Sequence, residues 1–374
     1  MDRRSSRRSW LTPEVDRTHE PELTHPVDLC TADGRSLSPA ARGWSRTPLH
    51  RANLRGRWGR TKRWDYWAVL AGDLVFGLVY ADVDYLGLVS VWWGDLATGR
   101  SGGHDVAAPF ARGVRLPERS GDAPLTWSGR GLDLRIAPFG PGTGAADHGG
   151  GRGTRIKAAW TESDGRPASL DVFVTEPEGH ESLSVVIPWS RRAFQFTTKD
   201  QALPAVGRFR LGEDEVDFGT RPGRPELGPA WGVLDVGRGR WPYSTTWNWG
   251  GGAGHAVTGE RVGLQFGAKW TEGTGFTENA VTVDGRLHKI GRELRWEYDW
   301  DAPMRPWRVV DPGGALDLTL TPRFDKHTGT NALVLRTEVH QVFGTWSGTV
   351  VGEDGRTLEL RDAQGFAEES RNRW

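Results

Sequence analysis

The feature that most constrains the fold of this chain is the recurrence of short segments in which apolar residues alternate with glycine or polar residues. In segment 262–270, Val262, Leu264, Phe266, Ala268 and Trp270 share one parity. Successive side chains of an extended strand point to opposite faces, so this pattern predicts a half-buried β-strand. Similar runs occupy residues 86–93, 169–175, 182–189, 294–300, 316–321 and 333–343.

Asp-Gly dipeptides mark the turns between several of these runs. They begin at Asp33, Asp164, Asp284 and Asp354, and such pairs tolerate the left-handed backbone that tight hairpins require. Helical candidates are few and short, at 38–42 and 366–371. We therefore expect an all-β fold of two antiparallel β-barrel or sandwich domains in tandem. The 20 tryptophans would supply the buried area that helices supply elsewhere.

The domain organisation is inferred from length and composition. At 374 residues the chain exceeds the usual domain size of about 100–150 residues. Segments 140–153 and 203–229 are rich in Gly and Pro and lack periodicity. We predict a disordered basic tail at 1–25, an N-terminal β domain at 26–202, a crossing segment at 203–229, and a C-terminal β domain at 230–374.

Charge and motif content narrow the function classes. Lys and Arg total 48, as do Asp and Glu, which argues against a nucleic-acid partner for the whole molecule. Cys30 is the single cysteine, so an internal disulfide is excluded. A secretory signal and a long apolar run are absent, which predicts a cytoplasmic protein that is not integral to a membrane. Neither a metal-ligand spacing nor a nucleotide motif is evident, so no metal and no cofactor are predicted.

A basic segment at 42–64 holds eight Lys and Arg residues, no acidic residue, and three tryptophans. Such a segment could stack single-stranded nucleic acid, or its arginines could pair with carboxylates such as Asp82 and Asp84. Those two acids share one face of an apolar strand. If desolvated and unpaired, Asp82 could act as a general acid; if paired, it is structural.

The densest candidate site lies at 235–249. If its backbone is extended, its aromatic residues share a face beside Asp235, and Arg238 could set the ionisation of that acid. The alternative is a tryptophan-packed core. The candidate ligand-binding residues of this wall are Trp241, Tyr243, Trp247 and Trp249. Polar candidates on later segments are Lys269, Glu278, Asn279 and His340. Lys269 and His340 lie opposite apolar positions of their strands and could instead face solvent.

Long strings in the sequence resemble the bacterial domain-of-unknown-function 2804 family. They lie at 48–56 (PLHRANLRG), 62–67 (KRWDYW), 81–87 (ADVDYLG), 237–243 (GRGRWPY), 247–250 (WNWG), 269–275 (KWTEGTG), 277–280 (TENA) and 367–369 (AEE). More remotely, the chain is similar to tandem lipocalin-like proteins, which include carotenoid hydratases, tocopherol cyclases and Diels–Alderases. That similarity implies a ligand pocket in or between two barrels, and it transfers no catalytic residue.

These observations support one main hypothesis and two alternatives. The main one is a cofactor-independent acid–base enzyme, of hydratase, cyclase or isomerase type, acting on a small apolar or polyene-like metabolite. Asp235 or Asp82 would donate the proton, and the indole rings would stabilise a cation. The alternatives are a carrier of lipids or hydrophobic metabolites without chemistry, and a carbohydrate-processing enzyme with two carboxyls about 5–5.5 or 6.5–9.5 Å apart.

Overall fold

The computed structural model describes residues 18–140, 151–332 and 335–373, and most of them lie in β-strands. Short 3-10 turns occur at Pro39–Ala41 and Pro225–Leu227. The strands up to residue 240 are β1 Val27–Asp28, β2 Trp44–Ser45, β3 His50–Arg51, β4 Thr61–Ala71, β5 Leu74–Asp82, β6 Leu86–Asp95, β7 Ser101–Pro109, β8 Leu125–Gly129, β9 Leu132–Phe139, β10 Arg152–Thr161, β11 Pro167–Glu176, β12 Leu183–Ile187, β13 Phe194–Leu211, β14 Asp214–Phe218 and β15 Trp231–Arg240.

The first large sheet has 13 strands, with the order β7-β6-β5-β4-β15-β13-β11-β10-β9-β8 and with β2, β12 and β14 attached beside this path. It is a curled antiparallel half-barrel. Its concave side encloses an apolar core that includes Phe76, Val91, Leu134, Val172 and Phe209. This core needs no helix, because alternate residues of each strand face inward.

The second sheet has nine strands in the order β19-β18-β17-β16-β24-β23-β22-β21-β20. It curls around its own core, in which Phe266, Trp307 and Trp346 are fully buried. Its strands are β16 Ser244–His255, β17 Arg261–Ala268, β18 Asn279–Val283, β19 Arg286–Ile290, β20 Arg295–Glu297, β21 Trp307–Val310, β22 Leu316–Ala332, β23 Leu335–Val351 and β24 Thr357–Arg373.

The two half-barrels pack against each other through a third apolar cluster contributed by both sheets. Trp92 of the first sheet stacks on Phe343 of the second, with ring centroids 5.6 Å apart. Tyr66 meets Trp249 edge-on at 5.5 Å. Aromatic contacts of this kind add to the free energy gained from burying the rings. The sheets therefore form a continuous packed body rather than two separate barrels.

The predicted all-β class is confirmed, and so are most of the predicted strands. The Asp164, Asp284 and Asp354 turns each join neighbouring antiparallel strands. The predicted helix at 366–371 is wrong, because these residues lie in β24 and pair with β16 and β23 on either side. Backbone pairing on both edges overrides the helix-favouring composition of that segment.

The border between the two sheets lies at residues 241–243. Much of segment 203–229, in which a crossing is predicted, belongs to β13 and β14, and β15 joins the first sheet beside β4. Residues 1–17 of the predicted tail lie outside the described residues. Glu20, within that predicted tail, is buried and pairs with Lys289 at 2.8 Å. The division into domains stays a prediction.

The basic segment at 42–64 is engaged in ion pairs with carboxylates from several parts of the chain. The pairs are Arg46 with Glu22, Glu181 and Glu353, Arg51 with Asp28, Arg55 with Glu118, and Arg63 with Asp82. These four arginines therefore follow the alternative in which the basic segment pairs with carboxylates. In the described part of the chain, no helix is long and apolar enough to cross a membrane.

Replacing Phe343 by Ala tests whether the two sheets form one cooperative body. The Phe343 ring is fully buried between them, so its removal should lower the free energy of unfolding by about 3–5 kcal/mol. Urea unfolding followed by circular dichroism measures this. Val216→Ala is the control, because Val216 is 43% exposed. A loss no larger than that of the control would contradict the packing described.

Candidate functional site

A cavity of about 380 Å³ lies between the two sheets, next to the apolar cluster that joins them. The first sheet contributes residues of β4, β5, β6, β13 and β15, and the second contributes residues of β16, β22, β23 and β24. Trp241, Trp270 and Glu278 complete the lining from segments that follow or precede strands. Neither half of the chain forms this cavity alone.

The cavity arises because several strands change from apolar to polar side chains along one face. On β15, Trp231 and Val233 pack between the sheets, and Asp235, the next residue of that parity, lines the cavity. On β24, Phe366 packs between the sheets and Glu368 lines the cavity. Residues two apart on a strand share a face, so one end of the interface is dry and the other end holds polar groups.

A buried ammonium lies at the centre of the charged groups. Lys199 Nζ is 2.9 Å from Asp235 Oδ1 and 3.3 Å from Glu278 Oε2, and it lies over the ring of Trp249. All three ionisable side chains are nearly inaccessible to solvent. One positive charge therefore faces two carboxyl groups in a medium that screens charge poorly.

Each carboxyl of the cavity is also held by an indole. The Nε1–H of five tryptophans donates to a carboxylate or amide oxygen, and this fixes both the ring and the acceptor. The donors and acceptors are Trp64 with Asp235 at 3.1 Å, Trp270 with Glu278 at 2.6 Å, Trp247 with Glu368 at 2.8 Å, Trp241 with Gln195 at 2.7 Å, and Trp249 with Gln265 at 3.1 Å.

Glycines make room for these groups. Gly237 lies directly opposite Trp64 in the pairing of β15 with β4, and a Cβ at Gly237 would lie 2.1 Å from the indole ring. A Cβ at Gly267 would lie 2.0 Å from Glu278 Oε1. The glycines of the Gly-Arg-Gly-Arg string thus face the cavity side, and its arginines face the opposite side of the sheet.

Two of the carboxyls hold protons more tightly than usual. Burial raises the pKa of Glu278 to about 7, with the Lys199 ammonium opposing this effect and Asp235 adding to it. Burial likewise raises the pKa of Glu368 to about 7, against the Trp247 hydrogen bond and Lys199. These carboxyls can therefore both give and accept a proton near neutral pH.

Two neighbouring ionisable groups, Lys199 and Tyr66, keep one charge state at neutral pH. Burial disfavours the charged form of Lys199, but the Asp235 and Glu278 carboxylates outweigh this, and its pKa lies above the usual value. Burial and the Glu368 carboxylate raise the pKa of the Tyr66 hydroxyl. Lys199 is thus a cation and Tyr66 a neutral hydroxyl while Glu278 and Glu368 titrate.

A larger concavity, of about 860 Å³, is a groove on the first sheet lined by β8 to β11 and β13. Its charged side chains are exposed and paired, as in the Arg208–Asp217 contact of 2.7 Å. Exposed pairs of this kind are well solvated and contribute little. The smaller cavity is the candidate site, because two desolvated carboxyls and a buried ammonium converge on an indole-lined space there.

The structure brings five of the residues that the sequence singled out into this cavity: Asp235, Trp241, Trp247, Trp249 and Glu278. Three of the four aromatic residues of the predicted wall, Trp241, Trp247 and Trp249, therefore lie along this cavity. Asp235 accepts hydrogen bonds from Trp64 and from the Thr197 hydroxyl as well as the contact from Lys199. Asp235 is thus a hydrogen-bond acceptor that holds the Lys199 ammonium in position.

Asp82 and Arg238, the other two residues predicted as catalytic, are not in the cavity. Asp82 lies at the end of β5 and pairs with Arg63 at 3.2 Å. Arg238 projects from the face of β15 opposite to Asp235 and forms a buried ion pair with Asp65. Strand parity separates Arg238 from Asp235 because their positions differ by an odd number. The cation beside Asp235 is Lys199 instead.

Four predicted ligand-binding residues also lie elsewhere. Tyr243 is in the turn between β15 and β16, where strand parity no longer applies, and is 45% exposed. Lys269 pairs with Glu369 at 2.7 Å on the inner side of the second sheet. Asn279 accepts a hydrogen bond from the backbone of β17. His340 projects from β23 on the face opposite to the cavity-lining residues of that strand.

Sequence reasoning missed Lys199, Glu368 and Tyr66. Tyr66 is a polar residue on a parity of β4 that is otherwise largely apolar, with Trp64, Ala68 and Leu70, so this signal could have been found. Glu368 was assigned to a helix, which hid its place in a strand. Lys199 lies in an 18-residue strand whose first half was not among the predicted strands.

Fold and cavity together define a class: all-β proteins in which two half-barrel sheets enclose an indole-lined, charged cavity. The chain belongs to the family described as domain of unknown function DUF2804, whose model matches residues 20–374. Among curated proteins, no sequence matches this chain significantly.

Solved structures show a distant likeness over most of the chain. CghA is 14% identical, with 93% of this chain and 97% of that chain covered and a TM-score of 0.43. An AttH protein from Nitrosomonas europaea is 12% identical (83% and 92% covered, TM-score 0.44), and kievitone hydratase from Nectria haematococca is 10% identical (83% and 89% covered, TM-score 0.45). At these values the likeness carries no reaction over to this chain.

Gly237→Ala tests the indole framework. The new Cβ would overlap the Trp64 ring, so we expect the Trp64 hydrogen bond to Asp235 to break, with a loss of about 1–3 kcal/mol in the free energy of unfolding. Chemical denaturation and the indole N–H region of the NMR spectrum measure both effects. Gly151→Ala is the control, because a Cβ there makes only ordinary contact. Equal behaviour of the two variants would refute this packing.

Proposed function

We propose that this protein is a cofactor-independent acid–base enzyme that moves a proton on a small, unsaturated, apolar molecule. The observation that carries the proposal is the convergence of Glu278, Glu368 and the Asp235–Lys199 pair in one indole-walled cavity. Desolvated carboxyls with a pKa near the working pH suit general acid and general base catalysis.

Hydrogen bonding divides the two roles. Glu278 Oε2 is buried, and it lies 3.3 Å from the Lys199 ammonium, which Asp235 shares. Both oxygens of Glu368 accept hydrogen bonds, from Trp247 and from Gln341. The two donors favour the carboxylate form of Glu368, and the ammonium stabilises the charge that Glu278 acquires once it has given its proton. Glu278 is therefore the proton donor and Glu368 the proton acceptor.

The other residues that line the cavity would stabilise the charges that form during the reaction. The faces of Trp247, Trp249 and Trp270 would stabilise the positive charge that develops when an alkene or enol carbon takes up a proton. Lys199 would lower the cost of leaving Glu278 ionised after the transfer. Glu368 would then take a proton from the cationic intermediate, which completes an isomerisation or cyclisation, or from a water molecule that attacks the cation, which completes a hydration.

The volume of the cavity restricts the substrate. About 380 Å³ lies at the lower end of the range of about 300–1,000 Å³ for small-molecule sites. A compact ring system or a short isoprenoid fits this space, and an extended long-chain polyene does not. The carrier alternative requires the same fit but no placed acid, so the Glu278 variant distinguishes the two.

We expect Glu278→Gln to lower turnover by about 10²- to 10⁴-fold while ligand affinity stays within a few-fold, because the amide keeps the shape but has no proton to give. Native mass spectrometry of the purified chain identifies bound molecules, and deuterium uptake from D₂O into these compounds measures turnover. Glu162→Gln is the matched control, since Glu162 is also buried and held by two indoles outside this cavity.

The pH profile gives an independent check. The donor must be protonated, so activity should fall as pH rises through about 7. The acceptor must be ionised, so activity should also fall as pH drops through about 7. A narrow bell is expected. A ligand that binds and leaves unchanged, with no deuterium uptake in the wild type, would support the carrier and refute the enzyme.

A further inference from the structure

We propose that His327, Glu338 and His340 form a binding site for a divalent transition-metal ion, with Zn²⁺ as the best match. His327 lies on β22, and the other two lie on β23. One ligand atom from each residue lies within 4.8 Å of the others. This site is separate from the cavity between the sheets and does not depend on the function proposed for it.

Strand register explains why the three side chains converge. His327 pairs directly with His340 across β22 and β23, and their imidazole rings lie parallel with centroids 4.2 Å apart. Glu338 precedes His340 by two residues and therefore shares its face. The residue opposite Glu338 on β22 is Gly329, which has no side chain to cover that carboxylate, and on β24 the residue opposite is Arg371.

A second carboxylate orients the more buried histidine. His340 Nδ1 lies 2.7 Å from Asp325 Oδ2, so Nδ1–H donates to Asp325 and the lone pair of Nε2 is left for a ligand. The Trp300 ring meets the imidazole edge-on at 4.6 Å and limits its rotation. A carboxylate behind a histidine is the usual outer-sphere support of a metal ligand.

The electrostatic surroundings allow a cation. Glu338 contacts Arg336 at 3.5 Å and His327 at 3.7 Å. Arg336 is 61% exposed and can turn into solvent when an ion replaces it. Arg371, which lies opposite Glu338 on β24, is held by Glu369 and the face of Trp300.

The donor set indicates the kind of metal. Two neutral imidazoles and one carboxylate suit Zn²⁺ and related ions, and open positions would be filled by water. Zn–N bonds of about 2.0–2.1 Å place ligand atoms about 3.3 Å apart in a tetrahedron. His327 is half exposed, so rotation of its side chain can bring the ligand atoms to this shorter separation.

Sequence spacing did not indicate this site, because its ligands come from two strands and no metal was expected. Alternation does separate it from the cavity. Lys326 and Gln341, the chain neighbours of His327 and His340, line the cavity on the other face of the same strands. A bound ion would thus lie behind the wall that carries Gln341.

Titration of the metal-stripped full-length protein with ZnCl₂ by calorimetry tests the proposal. We expect one ion per chain. His327→Ala and His340→Ala should each weaken binding by at least about tenfold, and Asp325→Asn by about 10- to 100-fold, because the outer carboxylate then no longer orients His340. The His327 side chain is half exposed, so its removal leaves the fold intact.

His25→Ala is the control, since His25 is exposed and lies outside the cluster. It should bind Zn²⁺ as the wild type does. Titration with Co²⁺ adds a spectroscopic check, because imidazole ligation in a site of low coordination number gives visible absorption that the histidine variants should lose. Absence of binding, or an affinity unchanged in either histidine variant, would overturn the proposal.

Discussion

The shared contact of one buried ammonium with two carboxyl groups is the interaction on which the account of the cavity depends. Lys199 lies 2.9 Å from Asp235 and 3.3 Å from Glu278, and the three side chains come from separate strands or loops of both sheets. A lysine buried without a carboxylate would lose its charge, and two carboxylates buried without a cation could not both ionise. The two sheets must therefore pack in the arrangement that brings Glu278 of the second sheet next to Lys199 and Asp235 of the first.

The tryptophans explain how these charged side chains are tolerated in the apolar interface between the two sheets. Each indole presents an apolar face to the cavity and a single N–H to an acceptor in its wall. Most of the polar oxygens thereby find a donor within the protein. Burial raises the pKa of Glu278 and of Glu368, and the indole hydrogen bonds oppose this rise. Gly237 and Gly267, at which a Cβ would overlap Trp64 and Glu278, show that the backbone is shaped to this arrangement.

The class of fold could be predicted from local patterns, because strand alternation and Asp-Gly turns depend only on neighbours in sequence. The aromatic wall and Asp235 were found for the same reason. Arg238 was misplaced next to Asp235 because proximity in sequence was taken as proximity in space. Lys199 and Glu368 were missed because their partners are distant in sequence and are brought near by the pairing and packing of the sheets. Two-strand clusters such as His327 with His340 have no signature along the chain.

The two faces of the β22–β23 hairpin illustrate how one element can serve two purposes. One face carries Gln341, which donates a hydrogen bond to Glu368 in the cavity. The opposite face carries the histidine cluster. Residues of even and odd number on the same strand are thus exposed to different chemistry, and substitutions on one face can be made while the other is preserved.

The central claim is that Glu278 holds its proton near neutral pH within the indole-lined cavity. Infrared difference spectroscopy detects this directly, since a protonated carboxyl has a carbonyl band that a carboxylate lacks. The account predicts a carboxyl band that is present at about pH 6 and lost by about pH 8.5, as a pKa of about 7 requires. Its intensity should decrease in Glu278→Gln and be retained in Glu162→Gln. An unchanged band in Glu278→Gln would contradict the account.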